Sequence, residues 1–555
     1  YRSVIFPFIS TGIPYLILKF ASDCYLALGL PEWVSSFTLF VSPRLWVVFH
    51  SVIVDWMIWR ICRRCSISPS AVLFIFCSSW TTLVFHSRPF SNTYESFILC
   101  LAIFVIIELR PNGKNAQTYR IFRRNLLFGM VVAFGFFTRF TFIAFSIPLG
   151  LFLFYDNFIV IREYRPCSGF CVQIIFLLRW SSTVLFGFLF ISFISIIIDS
   201  LYFGTSIFDS RCVNFQIPLP ETVSASLKGL LRGELPCFQG VLTITPINNL
   251  IYNLQSSILE KHGIHPRWLH AVVNMNLLFG PLYLFALWSI LRLRISDISR
   301  VMKYRDGFSA KDFPSFHAFI ISLIGVILSG ILVLSTAPHQ EARFLLPCTL
   351  PLCLVFGKLF IVGKSRKRHL SFWRVRNIVK VWLLFNSIMA VFFGVIHQGG
   401  VIRSVMRIPE YVDEHVEIQS LEDENGINTI PIIYFKTYMP PLSFSATPDQ
   451  PLERGSHRFK VHDFGVDSHA SDFKSSFVKL IPDDLNTDTT SFSAIISLPK
   501  SVNFSEIVAD LESSEVCLQS TELDSIWPHL STENLPSCLR DLYLQVYSIK
   551  THPCR

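Results

Sequence analysis

His339-Gln340-Glu341-Ala342-Arg343-Phe344-Leu345-Leu346-Pro347 sets three ionisable side chains between two long apolar runs. Upstream, 316–336 is nearly free of charge, and so is 344–362 downstream. Each run is about 20 residues long, enough to cross a hydrocarbon core roughly 30 Å thick. The stretch therefore reads as a polar turn between two membrane spans. Ionisable groups at that depth are costly, so they mark a substrate path or a headgroup contact; the plainer alternative is an interfacial anchor, because Arg and His snorkel at helix ends.

The same pattern repeats along the chain. Apolar runs at 44–59, 68–86, 92–108, 125–138, 140–160, 181–199, 270–292, 314–336, 344–362 and 376–396 predict ten crossings. With 51% apolar and 15% aromatic residues over 555 positions, the class is an all-α polytopic membrane protein. The net charge of +9 does not point to nucleic acid, since the basic residues form short clusters between apolar runs. These clusters lie at 60–64, 110–124, 162–179, 292–311 and 364–380, at every second turn. Short Lys/Arg-rich loops stay in the cytoplasm. The alternate turns, including the His339 stretch and the long loop 200–269, then face the lumen together with the tail after 397. That tail carries one glycosylation acceptor, Asn503-Phe504-Ser505, usable only on the lumenal side.

Three regions follow. Residues 1–43 are the end of a first lumenal loop with a re-entrant apolar segment, because Pro7 and Pro14 would break a straight spanning helix at 4–20. Residues 44–397 are the multi-span domain, and 398–555 are a small lumenal tail domain, polar and acid-leaning, with a strand-like run at Thr429–Phe435. The chain starts at Tyr1 without a basic leader and apolar core, and reads as one whose beginning is missing. The fourteen Cys include no pair of CxxC motifs, the one at Cys62–Cys65 standing alone, so neither a disulfide framework nor a metal site is expected. His262, His265 and His270 lack a Cys or acidic partner that would complete a zinc site.

The polar stretches resemble the mannosyltransferases that assemble glycosylphosphatidylinositol (GPI) anchors, in glycosyltransferase family 22 with its GT-C fold. His339-Gln340-Glu341-Ala342-Arg343-Phe344 is similar to that family's signature. Ser42-Pro43-Arg44-Leu45 with Asp55, Ser87-Arg88-Pro89-Phe90-Ser91-Asn92-Thr93-Tyr94-Glu95, Phe137-Thr138-Arg139-Phe140-Thr141-Phe142 and Asp199-Ser200-Leu201-Tyr202-Phe203-Gly204 follow in the family's order. His262-Gly263-Ile264-His265-Pro266-Arg267, the 392–400 stretch ending His397-Gln398-Gly399-Gly400, and Thr437-Tyr438-Met439-Pro440-Pro441 resemble the branch that adds the fourth mannose. The resemblance covers about 1–441.

The resemblance implies an endoplasmic reticulum membrane enzyme with a lumenal active face. It would transfer mannose from dolichyl-phosphate mannose, a lipid-linked substrate rather than a cofactor, to the third mannose of a GPI precursor glycolipid. Rival readings within the family are the third GPI mannosyltransferase and the lipid-linked oligosaccharide α-1,2-mannosyltransferase. Outside the enzyme class they are an inactive membrane scaffold or a lipid scramblase. The family's presumed catalytic Asp sits in an acidic motif ahead of Arg2-Ser3-Val4-Ile5-Phe6-Pro7, upstream of Tyr1.

The leaving phosphate needs cations near its oxygens, and the planar Arg fork pairs bidentately with phosphate. Arg343 and Arg267 lead as donor contacts, with His339 and His265 beside them. For Arg88 and Arg139, pairing with a span carboxylate or carbonyl stands level with phosphate contact. Glu341 orients Arg343, positions the acceptor hydroxyl or serves as a fallback base, in that order. Asp199 either caps its loop or touches substrate, and His397 either anchors at the interface or contacts substrate.

Overall fold

A computed structural model describes residues 3–29, 34–111, 118–164, 170–203, 206–209, 237–240, 242–254, 265–302, 313, 315–362, 372–415, 421–422, 428–440, 458–465, 473, 477, 493–505, 507, 516–532, 535–536 and 538–553. His262 and most of the 200–269 loop fall outside these residues. The chain divides into two compact units: Tyr1–Leu16 with Pro43–Ser387, and Ile17–Ser42 with Ile388–Arg555.

Among the described residues, ten helices are long and apolar enough to cross a membrane: Ile5–Ala27, Ser36–Arg64, Ser91–Glu108, Tyr119–Thr138, Phe142–Arg162, Cys171–Tyr202, His270–Arg292, Phe316–Leu334, Ala342–Ile361 and Asn377–Ile396. Nine correspond to the runs read from sequence. Two expectations change. The 68–86 run is two short helices, Pro69–Cys77 and Trp80–Val84, broken at Ser78 and Ser79. The break is held from outside: the Trp80 N–H donates to Asn386 Oδ1 at 2.8 Å, and Trp382 Nε1 donates to Ser78 Oγ at 2.8 Å. Conversely, Pro7 and Pro14 do not break their segment. A π turn at Phe8–Gly12 widens the helix between them, and the Ile13 N–H closes it on Phe8 O. A proline's missing N–H is absorbed where the hydrogen-bond register shifts.

In the first unit, ion pairs gather the helix ends. Arg60 pairs with Glu108, and Arg64 donates to Arg110 O at 3.0 Å. Asp156 is wholly buried and takes Arg110 Nε at 2.9 Å, Arg124 Nη1 at 2.7 Å and the Ser315 hydroxyl. Arg124 also reaches Asn157 Oδ1 at 2.5 Å. These are the ends that carry the basic loops. A buried carboxylate without its cation is far costlier than the pair, which fixes the five segments to one another here.

Between the ends, the helices pack through small residues. A Cβ at Gly129 would strike the carbonyl of Val184, and one at Gly187 that of Leu126. Tyr119–Thr138 and Cys171–Tyr202 therefore cross backbone to backbone, the close approach that lipid-embedded helices use when no hydrophobic drive separates tail from side chain.

In the second unit, the polar tail folds. Strands β1 (Ser206–Asp209) and β2 (Cys237–Gly240) form an antiparallel hairpin in the first unit. The tail carries β3 (Leu421–Glu422), β4 (Asn428–Tyr434), β5 (Arg458–Asp463), β6 (Ser493–Pro499), β7 (Val516–Ile526) and β8 (Leu544–Pro553). The order is β3-β4-β6-β8-β7, with β5 also on β4. β4 runs parallel to β5 and β6, while β6–β8 and β7–β8 are antiparallel. The predicted strand at 429–435 is β4.

Alternate residues of these strands feed two cores. Ile430, Ile432, Tyr434, Ile495 and Val546 pack with Val401, Val405 and Ile408 of the helix Gly399–His415. Ile433, Phe435, Ile496 and Leu498 pack with Phe473, Phe477 and Phe504 on the other face. A sheet buried on both faces explains why β6 is buried at every position rather than at alternate ones.

Asp156→Ala is expected to destabilise the first unit by about 3–5 kcal/mol, the cost of orphaning a buried partner. The check is the thermal unfolding midpoint of the purified protein in detergent, where an unchanged midpoint contradicts the assigned network.

Candidate functional site

The opposite ends of the same helices build a second polar face. The turn 335–341 leaves Phe316–Leu334, and the extended Glu341 opens a 3-10 helix at Ala342–Cys348 that leads into the next span. Gln340 is buried and donates to the carbonyls of Ala337 at 3.2 Å and Ser335 at 3.4 Å, closing the turn on itself. The turn is also tied across the fold. His265 N–H donates to Pro338 O at 2.9 Å, and Gln340 N–H donates to His265 Nδ1 at 3.3 Å. Because Nδ1 accepts, the proton of a neutral His265 sits on Nε2.

Glu341 lies between two partners. Its Oε1 meets His339 Nε2 at 3.1 Å, and its Oε2 forms an ion pair with Arg343. Burial pushes the carboxyl up, but the His339 hydrogen bond and the Arg343 charge outweigh it and hold it at about 2. Glu341 is thus an ionised carboxylate whose oxygens are already engaged. Its partner on the Oε2 side is the Arg343 guanidinium. A base needs a free oxygen and proton affinity nearer neutrality. Arg343 is half exposed and lies over the Phe90 ring at 5.7 Å, where an aromatic face steadies a guanidinium without occupying its donors. The His265 and His339 rings are 5.5 Å apart.

Arg139 resolves differently. Its guanidinium pairs with the buried Glu95 at 3.3 Å, donates to Ser91 Oγ at 3.0 Å and lies 5.0 Å over Phe344. Thr141 completes the Glu95 shell at 2.8 Å. Arg139 is thus paired with a span carboxylate and lies against the Arg343 segment through Phe344. Arg88 is partly buried, which pulls its guanidinium below the ordinary value, and lies near Arg44. Arg267 is exposed, two residues beyond His265.

Asp199 is a clasp. Ser3 Oγ and Val4 N–H both donate to Oδ1 at 3.0 Å, and Thr245 Oγ1 donates to Oδ2 at 2.6 Å. The residue is fully buried and ties the first helix and the return of the 200–269 loop to one span end. His397 belongs to the second unit, its ring 5.2 Å from Tyr438 and its Nε2 3.3 Å from Thr532 Oγ1. Among the described residues, no three His, Cys, Asp or Glu come together to hold a metal.

Sequence reasoning missed Glu95 as the Arg139 partner, Phe90 as the Arg343 platform and Arg44 beside Arg88. All three lie inside stretches already singled out, but residues about 50 and 250 positions apart do not announce their contact by spacing.

A protein of Debaryomyces hansenii named GPI mannosyltransferase 4 is 28% identical over 72% of this chain and 64% of its own length. The human GPI alpha-1,2-mannosyltransferase 4 is 28% identical over 79% of this chain and 66% of its own. An Emericella nidulans protein also named GPI mannosyltransferase 4 is 26% identical over 94% and 82%. The chain thus spans just under two thirds of the first two relatives. Among solved structures, ArnT from Cupriavidus metallidurans bound to undecaprenyl phosphate is 10% identical with a TM-score of 0.44, over 99% of this chain and 87% of that one. Residues 1–446, which hold the His339 face and the ten candidate spans found among the described residues, match the Alg9-like mannosyltransferase family, and the chain belongs to it.

Proposed function

We propose that this protein is the α-1,2-mannosyltransferase that adds the fourth mannose in GPI-anchor assembly, acting at the lumenal face of the endoplasmic reticulum membrane. The donor is dolichyl-phosphate mannose and the acceptor is the 2-hydroxyl of the third mannose on the GPI precursor. The observation that carries the reading is Arg343. It is a half-exposed guanidinium held by Glu341, with His339 and His265 alongside, at the edge of a span in a mannosyltransferase-family chain. The names borne by its relatives favour the fourth transfer over the third.

The chemistry is one inverting displacement. The acceptor oxygen attacks the anomeric carbon of a β-linked mannosyl phosphate, the carbon–oxygen bond to phosphate breaks, and an α-linked product forms. The acceptor proton leaves to a carboxylate base, and dolichyl phosphate departs with the bonding pair. Negative charge grows on the phosphate as the bond breaks, so the protein gains most from cations placed in advance. Arg343 suits that place because Glu341 fixes its plane while its exposed edge stays available. His339 and His265 can add hydrogen bonds to phosphate or sugar.

In microsomes carrying the full-length protein, Arg343→Ala is expected to lower transfer from dolichyl-phosphate mannose by about 100-fold or more, the scale of losing one transition-state charge contact. Membrane insertion should be unchanged, and normal labelling of the four-mannose precursor contradicts the donor contact. Glu341 tests the same site by pH. Its value is depressed from 4.5 to about 2, so its ionised form is complete above pH 4.5 and is lost only as pH falls toward 2. Glu341→Gln should therefore lower the rate while leaving the shape of the pH profile between pH 5 and 8 unchanged; loss of an acidic limb in that range would assign Glu341 as a base. Asn503 is exposed beyond β6. On the lumenal side it should carry a glycan that endoglycosidase H removes and Asn503→Gln abolishes, and an unglycosylated wild type places the tail elsewhere.

A further inference from the structure

Two stretches that set this chain apart in sequence, His397-Gln398-Gly399-Gly400 and Thr437-Tyr438-Met439-Pro440, meet in the second unit. They are joined by a third segment that carried no sequence signal, Trp527–Thr532. Gln398 Oε1 accepts the Tyr438 N–H at 3.3 Å. Gln398 N–H donates to Leu530 O at 3.0 Å, and Leu530 N–H donates to Ile396 O at 3.1 Å. The glycines let these backbones touch. A Cβ at Gly399 would come within 2.7 Å of Pro528 O, and one at Gly400 within 3.1 Å of His529 Cβ. Close packing explains the two glycines. It does not explain the polar side chains around them.

Those side chains form a floor and a rim. The floor is buried: His529 is 1% exposed with neither ring nitrogen partnered, Gln398 Nε2 is unpartnered, and so is Thr437 Oγ1. Burial, with His397 nearby, pushes the His529 ring down to about 3, so it is a neutral donor and acceptor. Leaving such groups unsatisfied is costly, a cost a fold carries where another molecule or water supplies the partner. The rim is open. Tyr438 is 44% exposed, Met439 is 75% exposed, and Thr532 is exposed beside His397.

We infer that this cluster of His397, Gln398, Thr437, Tyr438, His529 and Thr532 is a glycan-binding site that takes the mannose chain of the acceptor. Neutral amide, imidazole and hydroxyl groups match sugar hydroxyls, each of which donates and accepts, and carry no charge that would select an ion. The exposed Tyr438 ring, braced edge-on by His397, gives the apolar surface on which a pyranose lays its C–H face. The assignment to an acceptor glycan rests on the mannosyltransferase reading; the preference for a neutral sugar does not.

The test uses the full-length protein in detergent with α-1,2-mannobiose as the probe and maltose as the control, read by saturation-transfer difference NMR. The wild type should saturate mannobiose protons and not maltose. Tyr438→Ala and Met439→Ala, at the exposed rim, should weaken that signal, and Tyr438→Phe, which keeps the ring, should preserve it. In the transfer assay, Tyr438→Ala should raise the KM for the GPI acceptor by about tenfold with kcat within about twofold, the mark of binding lost equally from ground and transition states. Unfolding midpoints verify that the variants are folded. No mannobiose signal in the wild type, or equal signals in wild type and both rim variants, overturns the site. Mannobiose binding by a wild type that transfers no mannose removes the enzyme reading and leaves the site standing. Transfer at the wild-type acceptor KM by Tyr438→Ala does the reverse.

Discussion

A charge inside an apolar helical bundle must be held by its opposite, and three such pairings organise the first unit. Asp156 is held by Arg110 and Arg124, Glu95 by Arg139, and Glu341 by Arg343 with His339. Desolvation makes each partner indispensable to the other. The pairings nonetheless differ in what they leave over. The Asp156 and Glu95 carboxylates are fully buried in their networks, so they lock helix ends. The Glu341 pairing leaves Arg343 half exposed.

The polar contacts of the first unit also divide the faces. Arg60, Arg64, Arg110 and Arg124 meet their partners at the ends that bear the basic loops, while Arg139, His265 and Arg343 converge where the alternate turns lie. Alternation of charge along the sequence is thus reproduced as two distinct polar faces of one bundle. The His339 turn gains its rigidity from neighbours remote in sequence: His265 fixes its backbone, Phe90 supports Arg343, and Arg139 reaches it through Phe344.

Much of this was legible because membrane spans are set by length and apolarity, which a single sequence displays directly. Nine of the ten long helices follow from apolar runs alone. The exceptions have local causes that hydropathy cannot see. Ser78 and Ser79 break a run because Asn386 and Trp382, some 300 positions later, satisfy the exposed backbone and hydroxyl. Pro7 and Pro14 fit a helix because a π turn shifts its register between them. The site residues Glu341, Arg343, His339 and His265 were visible as ionisable groups out of place. Their partners were not, since Phe90 and Glu95 look like ordinary span residues until the fold brings them near. The sheet of the tail was the least legible: its strands pair across long connections, and β4 with β6 runs parallel, which leaves no hairpin signal.

The account stands or falls on whether this protein forms the bond assigned to it. The most direct measurement is made in microsomes from cells lacking their own fourth GPI mannosyltransferase, supplied with the full-length protein and radiolabelled dolichyl-phosphate mannose. The account predicts a labelled four-mannose GPI intermediate whose label an α-1,2-specific mannosidase releases. A three-mannose intermediate that persists unchanged, or a label resistant to that mannosidase, contradicts it.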